Sequence, residues 1–204
     1  MIKKAYSKIQ GNEKGITGLE TAIILIAFVV VASVFAYTVL SAGIFSSQKG
    51  KEAVYSGLEQ ARSSLTLKGS VVAKDADNND EVDQIVFTVT NALDGEAIDL
   101  TTPDDADTNG LADAESDNVT VISYMDANQR IDDLAWTKTA LGKDDGDNLL
   151  EPGEKYEVTV DLKAVNPAVG PYTTFSLEIK PPKGSVLIIE ATTPAALDPV
   201  MILN

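Results

Sequence analysis

The pattern of hydrophobic and polar positions changes character near residue 67. No residue from Thr21 to Gln48 is charged, and 22–40 reads AIILIAFVVVASVFAYTVL, apolar nearly all round. As a helix rising 1.5 Å per residue, the charge-free stretch spans ~42 Å, enough to cross a bilayer. Its β-branched residues do not oppose a helix, because apolar surroundings override a weak intrinsic propensity. Past Phe45, charge collects on one side through Lys49, Lys51, Glu52, Glu59 and Arg62. Val54, Leu58, Ala61 and Leu65 meanwhile recur on one helical face. The pattern predicts a continuous helix over about 18–67, ~75 Å long. Gly43, Gly50 and Gly57 stand seven apart within it. Small residues at such a spacing let neighbouring helix backbones approach closely.

From residue 67 onward the period becomes two. Strands are predicted over 70–74, 84–91, 119–125, 131–137, 155–163, 173–180 and 185–191, separated by loops rich in Asp, Asn, Gly and Pro. Short strands punctuated by turn signals predict a sandwich. The expected class is α+β: a long N-terminal hydrophobic helix, then an antiparallel, immunoglobulin-like β-sandwich as a head domain over 68–204.

Charge adds a direction. The chain of 204 residues carries 16 Lys+Arg against 31 Asp+Glu, a net charge of −15. The first 15 residues hold Lys3, Lys4, Lys8, Lys14 and Glu13, net +3, which leaves −18 for the rest. An acidic body argues against nucleic acid as a partner. A basic tip before an apolar helix keeps its lysines in the cytoplasm and sends the acidic body outward. The chain has no cysteine and no histidine. Thiolate nucleophiles, imidazole bases and the usual zinc ligands are therefore absent, and no enzymatic activity is expected.

The order of these signals is specific. Lys14-Gly15-Ile16-Thr17-Gly18-Leu19-Glu20 leads directly into Thr21-Ala22-Ile23-Ile24-Leu25-Ile26-Ala27-Phe28. A secretory signal is cut after its hydrophobic segment; here the cut site precedes it. This N-terminus closely resembles that of archaeal flagellins (archaellins), a class of type IV pilin-like subunits. The resemblance is strongest through Gly43 and continues more loosely over 50–65. It implies that a membrane-embedded prepilin peptidase cuts between Gly15 and Ile16, removing 1–15 as a signal peptide and leaving 16–67 as a filament-core helix. It also implies an assembly pairing between the new amine at Ile16 and Glu20 of a neighbouring subunit. The precursor would sit in the cytoplasmic membrane. The product would be an extracellular surface filament for swimming, a helical homopolymer or a co-polymer with other archaellins. A motor and assembly ATPase complex would supply the energy, since this chain has no phosphate-binding Walker A loop. An archaeal adhesion pilin shares the same logic. A membrane-anchored metal-binding ectodomain and an extracellular carboxylate-dependent hydrolase are more distant alternatives.

Three acidic loops suit a hard cation such as Ca2+, which takes six to eight oxygens. They are 75–83, 105–113 and 144–148, the last followed by Glu151 and Glu154. The second begins D-x-D-x-N-G like an EF-hand, but its twelfth position is Ser116 rather than Glu, and its flanks are not helical in pattern. The third supplies the preferred ligands for Ca2+ or another divalent cation: Asp144, Asp145, Asp147, Glu151 and Glu154. Asn118-Val119-Thr120 is an N-glycosylation sequon in a segment expected to be exported, so an N-linked glycan is expected on Asn118.

Overall fold

The computed structural model describes residues 13–93 and 95–203, with side chains from Gly18 onward. Lys3, Lys4 and Lys8 of the basic tail lie outside the described residues. One helix, α1, spans Glu13–Arg62. The chain divides into two compact units, Met1–Val54 and Tyr55–Asn204. The first contains most of α1; the second contains its last two turns and every strand.

α1 stops five residues before the expected end at 67. Ser63 and Ser64 follow it, and serine side chains compete with the helical backbone for hydrogen bonds. The Ser63 amide donates to the Glu59 carbonyl at 3.0 Å. The Ser64 hydroxyl donates to the Gln60 carbonyl at 3.2 Å. Leu-Thr-Leu then alternates with period two and forms β1 (Leu65–Leu67), antiparallel to the end of β3 (Gln84–Asn91), with Leu65 opposite Asn91. Leu65 is buried, but as a strand residue in the β core rather than as the last member of a helical stripe.

The remaining strands are β2 (Val71–Lys74), β4 (Ile98–Asp99), β5 (Val121–Asp126), β6 (Arg130–Ile131), β7 (Trp136–Ala140), β8 (Leu149–Leu150), β9 (Tyr156–Asp161), β10 (Thr174–Lys180), β11 (Leu187–Thr192) and β12 (Val200–Leu203). Six make one antiparallel sheet in the order β12-β2-β3-β9-β7, with β1 also on β3. Four make a second, β11-β10-β5-β6, and β4 pairs with β8. Inward residues of both large sheets share one core. Ile85, Phe87, Trp136, Val158 and Val160 come from the first; Ile122, Tyr124, Phe175, Leu177 and Ile189 come from the second. Tyr124 and Phe175 stack with centroids 5.6 Å apart. This is the antiparallel β-sandwich that the alternation predicts.

One expected strand, 131–137, is two strands in different sheets. Asp133 adopts φ 59 between them, and this left-handed turn carries the chain from β6 across to β7. The Leu134 amide donates to the Ile122 carbonyl at 2.8 Å, and the Ala135 amide to the Gly110 carbonyl at 2.9 Å. These bonds pin the crossing. They come from residues distant in sequence, so no local pattern announces it.

Two glycines close a collar around the end of α1. Gly184 adopts φ +98, and a Cβ there would lie 2.1 Å from the Ser63 carbonyl oxygen. A Cβ on Gly95 would lie 2.4 Å from the Arg62 carbonyl oxygen. Beside them Lys183 pairs with Glu59, and the Ser185 and Ser64 hydroxyls meet at 3.0 Å. Gly142 offers an internal comparison, since it adopts φ +96 with nothing within 4 Å of the added Cβ. Gly142→Ala carries backbone strain alone, ~1–2 kcal/mol. Gly184→Ala adds a backbone clash, so denaturant unfolding of the full chain is expected to show the larger loss, ~3 kcal/mol or more. Equal losses would mean that the collar does not press on the helix end.

Candidate functional site

The first candidate is the surface of α1 between Leu19 and Phe45. Its large side chains are exposed in all directions: Phe28 is 71% exposed, Phe35 69% and Tyr37 72%. No face is distinguished, as in helices that are buried on every side. Two of the hydroxyls within it are satisfied internally. The Ser33 hydroxyl donates to the Val29 carbonyl at 2.6 Å, and the Thr38 hydroxyl to the Phe35 carbonyl at 2.8 Å. The stretch can therefore leave water without stranding those hydroxyls. Glu20 is exposed at its threshold, and Gly15 and Ile16 lie within α1. At the other end the first ion pair is Lys49–Glu52, 2.6 Å and exposed.

The second candidate is the acidic turn before β9. Asp144, Asp145 and Glu154 bring one carboxylate oxygen each to within 4.8 Å of the others. Glu154 is buried, and its position is fixed from three sides. The Glu151 amide donates to Glu154 Oε2 at 3.0 Å, the Glu154 amide to the Glu151 carbonyl at 3.1 Å, and the buried Thr90 hydroxyl to the Glu154 carbonyl at 2.7 Å. The Tyr156 hydroxyl donates to Asp144 Oδ1. Burial, and then the bond to Asp144, push the Tyr156 phenol well above its usual range, so it remains a donor. Lys138 Nζ stands 4.7 Å from the centre of the Tyr156 ring. Burial lowers the Lys138 amine, and the surrounding acids, Asp147 and Asp144 first, oppose that shift. Among the described residues, Asp147 and Glu151 stand outside the three-carboxylate cluster. Gly146 turns the chain at φ 90 between Asp145 and Asp147, and Asp147 Oδ1 accepts the Leu149 amide at 2.7 Å. The five residues selected from sequence thus resolve into a converging three and two that shape the turn.

A second cluster joins Asp75, Asp77 and Asp83. Asp75 is 3% exposed; its Oδ1 accepts the Asn78 amide at 2.6 Å and its Oδ2 the Asp80 amide at 3.1 Å. The loop 105–113 repeats this construction. Asp105 Oδ1 accepts the Asn109 amide at 3.0 Å and its Oδ2 the Gly110 amide at 3.1 Å. The Ala76 amide donates to Asp83 Oδ2 at 2.6 Å, and the Ala106 amide to Asp113 Oδ2 at 3.0 Å. Positive φ falls at Asn78 and Asp80 in one loop and at Thr108 and Gly110 in the other. Both read D-A-D-x-N-x-x-x-D, a repeat that the sequence displays and that composition-based reading of acidic loops passes over.

Asn118 is half-buried just before β5. Its Nδ2 donates to Asp133 Oδ1 at 3.1 Å and to the Thr120 carbonyl at 3.4 Å. Thr120 is fully buried, and its hydroxyl donates to the Asp99 carbonyl at 2.6 Å.

Comparison with known proteins agrees with this architecture along nearly the whole chain. The family model for archaeal-type flagellin matches residues 15–191. Probable flagellin 1 of Archaeoglobus fulgidus is 41% identical over 199 residues, covering 94% of this chain and 96% of its own length. Probable flagellin 1 of Aeropyrum pernix is 33% identical, covering 91% and 95%. Among solved structures, the archaeal flagellum of Methanospirillum hungatei strain JF1 is similar with a TM-score of 0.66 and 29% identity, over 92% of this chain and 99% of that one. The crystal structure of flagellin FlaB1 from Methanocaldococcus jannaschii shares the fold, with a TM-score of 0.53 and 14% identity over 68% of this chain and 95% of that one. With a family model matched from residue 15 to residue 191 and a relative 41% identical over 94% of its length, the chain belongs to the archaeal-type flagellin family.

Proposed function

We infer that the chain is a structural subunit of the archaellum, polymerising into an extracellular helical filament used for swimming. The observation that carries this is the exposure of α1 on every side between Leu19 and Phe45. Such a surface is stable only when covered, first by lipid and then by the helices of other copies. Gly43, Gly50 and Gly57 fit the same reading. A Cβ built at any of them meets nothing within 4 Å among the described residues, so no packing inside the chain requires glycine there. Close approach of a neighbouring helix supplies a reason. A structural subunit needs no catalytic residues, and the family favours such a role.

Several finer parts of this function are proposals. A prepilin peptidase cuts between Gly15 and Ile16. Glu20 pairs with the new amine of a neighbour's Ile16 during assembly, and the chain waits in the membrane until an ATPase-driven machine inserts it. An N-linked glycan on Asn118 and a divalent cation, Ca2+ by preference, complete the head. Asp144, Asp145 and Glu154 suit a hard cation, since they hold three carboxylate oxygens within 4.8 Å of one another, able to converge on one ion.

Two measurements test these points. Mass spectrometry of sheared filaments is expected to find the N-terminal peptide of this chain beginning at Ile16. Gly15→Trp is expected to leave an uncut precursor in the membrane and no filaments; normal filaments from that strain would contradict the processing step. For the cation, chelation should lower the head's melting transition in intact filaments. A ligand at 100 times its Kd stabilises by ~2.7 kcal/mol, on the order of 5–10 °C for a domain this size. Ca2+ should restore the transition, and Glu154→Gln should abolish the response. A transition that ignores the chelator would remove the cation from the account.

A further inference from the structure

The surroundings of Asn118 determine when it can be modified, an inference that rests on reading Asn118 as a glycan acceptor. Transfer forms a bond from Asn118 Nδ2 to the anomeric carbon of an activated sugar. The bond from that carbon to the phosphate oxygen of a lipid-linked pyrophosphate donor breaks, the lipid pyrophosphate leaves, and one Nδ2 proton is lost. The transferase must reach the amide, and it reads the sequon through the hydroxyl two residues on, which is why that position is Ser or Thr. In the folded head both groups are engaged. Asn118 Nδ2 donates to Asp133 Oδ1 and to the Thr120 carbonyl. The Thr120 side chain is sealed from solvent, its hydroxyl spent on the Asp99 carbonyl at 2.6 Å.

Freeing Thr120 disturbs more than a loop. The next residue, Val121, opens β5, which pairs with β10 from Val121 opposite Lys180 to Asp126 opposite Phe175. Ile122 and Tyr124 of β5 lie in the shared core, and Ile122 also accepts the Leu134 amide that pins the crossing between sheets. Asp133, the partner of Asn118, is the residue that turns the chain at that crossing. Presenting the sequon to an enzyme therefore means opening one side of the sandwich. The reverse compatibility is good. A glycosylated Asn118 keeps one Nδ2 proton for Asp133, and Asn118 itself is half-buried rather than sealed.

We propose that Asn118 receives its glycan while the head is still unfolded, and that folding closes the site. The folded head carries the glycan but cannot acquire it, so occupancy along a filament is fixed during export. The test uses a purified transferase that reads N-x-[ST], its lipid-linked oligosaccharide donor, the full-length unglycosylated chain folded in detergent, and a synthetic peptide covering 114–124. The peptide is expected to be modified at Asn118 at least ~100-fold faster than the folded chain, as expected when a reaction waits on an opening that involves core strands. Comparable rates for chain and peptide would overturn the proposed order and leave Asn118 an acceptor. If neither is modified while a reference sequon peptide is, the acceptor reading itself fails, and the order falls with it.

Discussion

The apolar surface of α1 has to be covered, and the rest of the molecule is arranged around that requirement. Each large apolar side chain taken out of water contributes ~1.5–3 kcal/mol. The run from Leu19 to Phe45 holds enough of them to reach tens of kcal/mol. Bringing one subunit into a polymer costs ~4–15 kcal/mol in lost translational and rotational freedom, and a domain's whole folding stability is ~5–15 kcal/mol. Burial of this helix outweighs both. Because the helix is apolar on all sides, covering it takes several neighbours at once, and lipid or a bundle of like helices meets that condition where a single partner does not. The internal hydrogen bonds of Ser33 and Thr38 keep those two hydroxyls paired in either environment.

The β-sandwich answers a different demand. It is folded by its own core and closed around the end of α1 by two glycine-containing loops. Its acidity keeps it hydrated, yet acidic heads crowded in a polymer repel one another. Salt screens charges beyond ~8–10 Å under physiological conditions, so closer charges still matter. The three acidic loops are built by side chains accepting backbone amides, which stiffens them and sets their acids at fixed spacing.

How much was legible in the sequence follows from which forces were local. The helix is written in a long charge-free apolar run, and β3 in a stretch rich in β-branched and apolar residues after an acidic loop; its bounds at 84 and 91 match the expected ones. The helix end was not legible, because Leu65 satisfies both a helical stripe and a strand, and only pairing with Asn91 of β3 decides between them. The crossing at Asp133 was hidden because a non-glycine residue makes the turn, held by bonds to Ile122 and Gly110. The two-residue strands β4 and β8 are too short to show a period. In the third acidic loop the chemistry was legible, but not which acids converge; that depends on the turn at Gly146 and on Tyr156 reaching Asp144. The contact that Gly95 and Gly184 make with the helix end gave no signal, since the Arg62 and Ser63 backbone that crowds them is distant in sequence.

The central claim is that copies of this chain cover α1, and the absence of native cysteine makes it directly measurable. Phe28→Cys places a single thiol in the middle of the apolar run. In intact, lipid-free filaments the account predicts no reaction with a water-soluble maleimide, and full labelling once detergent has dissociated the subunits. Equal labelling of Cys at that position before and after dissociation would contradict it, because α1 would then face water in the assembled polymer.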